Sequence, residues 1–155
     1  MDKLSAFCSG REAQITDVKT IVSGEEEDNI FSLLDAMAAG KNADALRLLD
    51  RQMRIGDTLY SIVSMMVWQI RLLLAAKILL KDDPRASVAA KLGVKPFVAQ
   101  KITPQSGRWS EASLRGIYRR LLRIDHKMKT AGGDPATMLT LLAASVNPNT
   151  NDVHP

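Results

Sequence analysis

The side chains that most often carry chemistry are few in this sequence and widely separated. The two histidines, His126 and His154, are far apart, and Cys8 is the single cysteine, so no spacing typical of metal ligands occurs. No G-x-x-x-x-G-K-S/T segment exists to hold nucleotide phosphates, and no Ser/His/Asp or Cys/His set suggests a nucleophile. The sequence therefore predicts a protein without catalytic residues, metal or cofactor.

One glycine-rich segment precedes a predicted helix start. Gly132-Gly133-Asp134 could bind an anion through backbone N–H groups at the helix N-terminus. A tight turn between two helices explains the same residues, and we favour that interpretation.

The segment Glu111–Thr130 carries the most informative charges. At about 100° per residue, its apolar residues fall on one side of a helix and a row of cations falls on the other. The row consists of Arg115, Arg119, Arg123 and Lys127 at four-residue steps, and Arg120 adds to it. Like charges at this spacing repel one another weakly. Two interpretations stay open: a solvated basic face, or a docking face for nucleic acid or an acidic partner.

Asp125 is the exception on this predicted helix, because it falls within the apolar sector. Lys129 follows one turn later, in the favourable order of acid before base. We predict a partly buried structural ion pair at the end of the helix. Removal of Lys129 should then destabilise the fold more than removal of a rim arginine.

A long apolar segment from Thr58 to about Leu80 is predicted to form one helix. Its length suits a membrane span, but Gln69, Arg71 and Lys77 interrupt it, and charges are costly at mid-bilayer. We therefore expect no membrane span and instead the central helix of a bundle. Four residues widen its apolar face and are candidates for contact with a partner subunit or with another helix of the domain: Tyr60, Val67, Trp68 and Ile78.

Composition agrees with a helical bundle. The chain has 155 residues, of which 46% are apolar, 25% charged and only 5% aromatic. This balance favours helix over sheet, because strands collect β-branched and aromatic residues. The net charge of +4 permits an anionic partner without requiring one. A single cysteine and the absence of a signal-peptide pattern favour a reducing, cytoplasmic location.

Local signals divide the main body, which begins near Asn29, into helices. The expected helix starts are capped by Asn42, Asp57, Ser110 and Asp134, or opened by Pro96 and Pro135. The expected ends are Gly40, Gly56, Pro84, Gly93 and Gly132-Gly133. Pro104 and Gly107 should end or kink the helix that begins at Pro96. With no segment alternating like a strand, the prediction is an all-α bundle of about six to eight helices.

Both ends of the chain are expected to lie outside this bundle. Asp2–Ser9 and Ile15–Ser23 are predicted as short helical fragments, followed by the acidic connection Gly24–Asp28. Asn147–Pro155 has no apolar periodicity and is predicted to be a disordered tail.

A helix-turn-helix is a rival interpretation for Ala89–Ile102. Gly93 would allow the tight turn, and Pro96–Lys101 would be the recognition helix. Only Lys95, Gln100 and Lys101 are available there to read bases, and Pro104 is expected to shorten the helix. A generic helical adaptor is a further alternative.

Several segments together resemble the C-terminal domain of the bacterial DNA polymerase III delta subunit. The similarity starts at Asn29-Ile30-Phe31-Ser32-Leu33-Leu34-Asp35-Ala36 and continues through the hairpin Gly40–Gly56 and the run Gln69–Ala75. Its most specific parts are Leu92–Lys101, with Pro96-Phe97-Val98, and Asp125–Pro135, ending in Asp134-Pro135. Pro104 departs from the family pattern, which usually continues a helix there.

The resemblance implies a fold and a role. Residues 28–146 would form the helical collar domain of a clamp loader, and residues 1–24 would be the remnant of the preceding lid domain. The expected partners are the other loader subunits, delta prime and gamma/tau, with primed DNA reached through the assembled complex. The sliding clamp would be reached only through upstream domains that are absent from this chain. The family also implies no ATP use by this subunit and a location at the bacterial replisome.

Overall fold

The computed structural model describes residues 28–55, 58–146 and 148, and this part of the chain contains helices and no strand. The described part of the first helix, α1, covers residues 28–38. Six helices follow: α2 (Asn42–Arg54), α3 (Leu59–Asp82), α4 (Val88–Leu92), α5 (Pro96–Gly107), α6 (Glu111–Thr130) and α7 (Pro135–Ser145). The predicted all-α bundle of six to eight helices is confirmed. The predicted fragments Asp2–Ser9 and Ile15–Ser23 lie outside the described residues.

The long helix α3 is the centre of the bundle. It packs against α6, α5 and α4, while α7 packs against both α6 and α2. Seven of its residues are buried: Ile62, Val63, Met66, Gln69, Ile70, Leu73 and Ala76. By length and composition α3 could cross a membrane, but the core helix of a bundle meets the same criteria. Its buried face accounts for that apolar character within this fold.

α3 and α6 run antiparallel, since Lys77, near the end of α3, donates to the Ser106 carbonyl at 3.4 Å, shortly before α6 begins. Tyr60, in the first turn of α3, is near enough to Lys129, in the last turn of α6, to help raise the pKa of Lys129. Lys77 and Lys81, near the end of α3, help lower the pKa of Glu111 at the start of α6. The two helices are therefore aligned along most of their lengths.

α1 is attached to α5 by polar groups rather than by apolar contacts alone. The Gln105 side-chain amide donates to the Phe31 carbonyl at 3.1 Å and to the Asp35 carboxylate at 2.9 Å. Lys101 forms an ion pair with Asp28, and its ammonium lies 5.2 Å from the centre of the Phe31 ring. The hydrogen bonds of Gln105 join residues about seventy positions apart in the sequence.

Two predicted helix starts are shifted by one residue. The N-cap of α3 is Thr58, whose hydroxyl accepts from the Ser61 N–H at 3.1 Å, rather than Asp57. Asn42 is the first residue of α2, and Lys41 precedes it without a side-chain cap. The Lys41 N–H instead bonds back to the Ala36 carbonyl at 2.9 Å, which closes α1 and leads directly into α2.

Pro104 does not end α5, which continues to Gly107, the second residue predicted to end it. A proline here removes one intrahelical bond, to the carbonyl of Gln100. Gln100 is exposed, so water can reach this part of the helix surface. Around the proline, the Thr103 hydroxyl donates to the Ala99 carbonyl at 2.7 Å and the Ser106 hydroxyl to the Thr103 carbonyl at 2.8 Å.

The caps of α6 and α7 agree with the sequence. Ser110 accepts from the Ser113 N–H at 3.0 Å, and Asp134 accepts from the Thr137 N–H at 3.3 Å. The end of α6 differs, because the left-handed residue is Ala131 rather than Gly132.

One residue of the predicted tail Asn147–Pro155, Pro148, is among the described residues. Pro148 is buried, and its carbonyl accepts from the Ser110 N–H at 3.2 Å and from the Ser113 hydroxyl at 3.0 Å. The rest of the predicted tail lies outside the described residues.

Candidate functional site

The basic residues of α6 do not all have the same surroundings. Ser110 caps the helix, and Arg115 pairs with Glu111 in the first turn at 2.8 Å. That hydrogen bond, more than any other influence, lowers the pKa of the Glu111 carboxyl. The positive charge of Arg115 is therefore already neutralised by a carboxylate of the same helix.

Arg120 lies beside the other cations of the predicted row, but its side chain is held against α7. It is half-buried between α6 and α7, where its guanidinium donates to the Ser145 hydroxyl at 3.1 Å. Burial, followed by the nearby charge of Arg123, lowers the pKa of Arg120. Within the described residues no carboxylate lies within ion-pair distance of it, so this cation is held in place by a neutral partner.

Three members of the row remain on one exposed side of α6: Arg119, Arg123 and Lys127. In the described part of the chain, none of them forms an ion pair. Successive members are four residues apart, so they rise about 6 Å and turn about 40° per step along the helix. The structure thus reduces five predicted cations to three that are exposed and free of carboxylates.

The predicted pair of Asp125 and Lys129 forms in the structure. The ammonium of Lys129 donates to the Asp125 carboxylate at 2.8 Å, and this bond raises the pKa of Lys129. The Asp125 side chain is 24% exposed and that of Lys129 is 56% exposed. Only the acid is partly buried, so the pair is closer to a surface salt bridge than to a buried one.

The four apolar candidates of α3 divide into two exposed and two half-buried residues. Tyr60 is 54% exposed and Ile78 is 37% exposed, whereas Val67 and Trp68 pack partly against the core. At about 100° per residue, all four fall within an arc of about 100°. They form one stripe that faces away from the buried side of α3, and the exposed Ser64 and Arg71 interrupt it within the same arc.

One exposed apolar side chain of α6 lies at the level of the α3 stripe. Because the helices are antiparallel, with Tyr60 near Lys129, the level of Val67 corresponds to that of Leu122 on α6. Leu122 is exposed, and the sequence reading did not identify it.

The helix-turn-helix interpretation gains no support from the geometry. α4 has only five residues, and Lys101 is engaged with Asp28 and two phenylalanine rings. Lys95 and Gln100 are the exposed base-reading candidates that remain. Among the described residues there is also no cluster of three or more His, Cys, Asp or Glu side chains that could hold a metal.

Sequence reasoning missed the polar contacts between α1 and α5. Gln105 recurs at helical spacing with Val98 and Ile102, which placed it on the buried side of α5. That buried position could have indicated a polar contact, since a buried amide requires hydrogen-bond partners. Its partner Asp35, which also pairs with Arg108 at 3.2 Å, could not be recognised without the fold.

Comparison with known proteins gives a consistent result. The family profile described as DNA polymerase III delta subunit, C-terminal domain, matches residues 27–146. Over 143 residues the chain is 29% identical to DNA polymerase III subunit delta of Bacillus subtilis (strain 168), covering 91% of this chain and 41% of that protein. A solved structure, the Bacillus subtilis DNA clamp loader delta protein, superposes with a TM-score of 0.73 at 28% identity.

That structural alignment covers 92% of this chain and 42% of the solved one, so the chain spans about two fifths of the length of these relatives. The profile match includes all seven described helices and does not favour a helix-turn-helix regulator. The chain belongs to the DNA polymerase III delta subunit family, as its C-terminal domain.

Proposed function

We propose that this chain is a non-catalytic clamp-loader domain that assembles with the other loader subunits, delta prime and gamma/tau, into a helical collar. Family membership supports the general role. In this proposal the chain acts in the cytoplasm at the replisome, and primed DNA and the sliding clamp are engaged by the assembled loader. Residues 1–24, predicted as the end of a lid region, lie outside the described residues.

One observation carries the proposal: the apolar stripe of α3 is left partly uncovered by the domain itself. Tyr60 and Ile78 are separated by about 27 Å along the helix, with Val67 and Trp68 between them. Aromatic and aliphatic side chains that protrude from a helix in this way are typical anchors of protein interfaces. A neighbouring loader subunit is the partner we assign to the stripe.

The test is co-elution of the chain with delta prime and gamma/tau of the same organism during size-exclusion chromatography. The double variant Tyr60→Ser/Ile78→Ser should weaken the complex by about thirtyfold to several hundredfold, because interface anchors contribute about 1–2 kcal/mol each. The matched control is Ile55→Ser/Leu141→Ser, which removes two exposed apolar side chains away from α3, at the end of α2 and on α7.

Two results would contradict the proposal. The first is a wild-type chain that elutes separately from the loader subunits. The second is a control variant that weakens the complex as much as the α3 variant, since the stripe would then have no special role. Circular dichroism should show equal helix content in all variants, because the four residues are exposed.

A further inference from the structure

α6 carries more positive charge than its own acids neutralise. Its two carboxylates are both occupied, Glu111 by Arg115 and Asp125 by Lys129. Arg119, Arg123 and Lys127 remain exposed and without an ion pair in the described part of the chain. Like charges four residues apart repel each other, so the row weakens the helix that carries it.

Along α6 itself, the exposed residues that flank this row are polar rather than apolar. Leu122, the exposed large apolar side chain of α6, is turned by about 60° or more from each of the three cations, towards Lys129 and α3. Protein interfaces have an apolar centre, whereas nucleic-acid interfaces are more polar and more positive. The row therefore fits phosphate groups better than it fits an acidic protein surface.

The row also contains no aromatic side chain. Proteins that hold single strands stack bases on aromatic rings, and Tyr118, the aromatic residue of α6, is half-buried and turned away from the row. Contacts from arginine and lysine to phosphate alone position a protein on a duplex without reading its sequence. These features favour a duplex over a single strand.

We propose that Arg119, Arg123 and Lys127 bind the phosphate backbone of duplex DNA without base specificity. This inference goes beyond assembly of the collar and does not depend on it, because the proposed subunit interface lies on α3. The neighbouring half-buried Arg120, which also lacks a carboxylate among the described residues, adds to the positive potential of the same part of α6.

The test measures binding of the full chain to a short fluorescein-labelled duplex by fluorescence anisotropy, between about 50 and 200 mM salt. The triple variant Arg119→Gln/Arg123→Gln/Lys127→Gln should bind at least about tenfold more weakly at the low-salt end. The slope of log K against log salt should fall by about 2 to 3, since each phosphate contact contributes about 0.9.

The matched control removes the same charge elsewhere. Lys41→Gln/Lys81→Gln/Lys91→Gln changes three exposed lysines that form no ion pair among the described residues. It should weaken binding by less than about threefold, because distant surface charges are screened by salt. The double variant Arg119→Lys/Arg123→Lys keeps the charge and should retain most of the binding.

Three outcomes would overturn the proposal. Equal losses in the triple variant and its lysine control would mean that net charge alone drives binding. Tighter binding of a single strand would exclude the duplex as the preferred ligand. More effective competition by poly-L-glutamate than by unlabelled duplex, at equal charge concentration, would assign the row to an acidic protein. Wild-type and triple variant should co-elute equally with the loader subunits, which separates this test from that of the collar.

Discussion

At the scale of single residues, three helix ends share one backbone geometry. Gly40, Gly93 and Ala131 follow α1, α4 and α6 with φ values of 70°, 66° and 52°. After each of them, the next N–H bonds back to a carbonyl in the last turn, as in Gly132 to Lys127 at 3.4 Å. Alanine is the exception, because its Cβ makes this left-handed conformation unfavourable.

We expect Ala131→Gly to raise the free energy of unfolding by about 0.5–1 kcal/mol, since relief of the left-handed strain exceeds the added chain entropy. Gly93→Ala is the reverse change and should lower the free energy of unfolding by about 1 kcal/mol. The cause would be the left-handed backbone alone, because a Cβ at this position would meet nothing within 4 Å. Urea denaturation with unchanged m-values measures both. A loss of stability in Ala131→Gly would contradict this account.

The predicted cost of removing Lys129 also belongs to this scale. The structure forms the pair with Asp125, but Lys129 is more than half exposed. Exposed pairs contribute little to stability. Periodicity placed Asp125 within the apolar sector, whereas the exposure of Lys129, which lies near Tyr60 at the start of α3, depends on the tertiary structure.

At the scale of elements, α5 contains a proline that its neighbours tolerate. The helix continues past Pro104 to Gly107, and the buried residues Ile102 and Gln105 on either side of it remain in register with the core. Packing of α5 against α3 and α4, together with the hydrogen bonds from Gln105 to α1, therefore outweighs the tendency of a proline to end the helix.

Replacement of Pro104 by alanine should stabilise the protein. The new N–H can bond to the Gln100 carbonyl, and proline is about 3 kcal/mol less favourable than alanine inside a helix, partly offset by unfolded-state entropy. We expect a gain of about 1–2 kcal/mol by chemical denaturation. Pro84→Ala, in the turn after α3, is the control and should give no gain. A destabilised Pro104→Ala protein would indicate that the proline ring itself packs.

At the scale of the whole molecule, the end of the described chain returns to the start of α6. The Pro148 carbonyl accepts from both Ser110 and Ser113, and Pro148 is buried. This contact links the segment after α7 to the N-terminus of α6, thirty-five residues away along the chain.

Truncation should locate this stabilising contact. A chain that ends at Val146 loses the Pro148 carbonyl and should unfold more easily by about 1–3 kcal/mol, the usual effect of removing a buried hydrogen-bond partner. A chain that ends at Pro148 keeps the acceptor and should match the full protein within about 0.5 kcal/mol. Thermal unfolding followed by circular dichroism distinguishes the two. Equal stability of both truncations would contradict the assignment.

The sequence by itself determined the helical class, most helix boundaries and the family. Caps such as Ser110 and Asp134, and the left-handed Gly93, could be predicted because they act within one turn of the backbone. The pair of Glu111 and Arg115 is equally local, since residues four apart meet on any helix.

Only the tertiary structure decided which of the candidate residues are available to a partner. Arg120 is held by Ser145, twenty-five residues away, and Gln105 by Asp35, seventy residues away. Periodicity identifies the side of a helix but not the element that covers it. The row on α6 and the stripe on α3 are therefore defined by what the neighbouring helices leave uncovered, and that depends on contacts between residues distant in sequence.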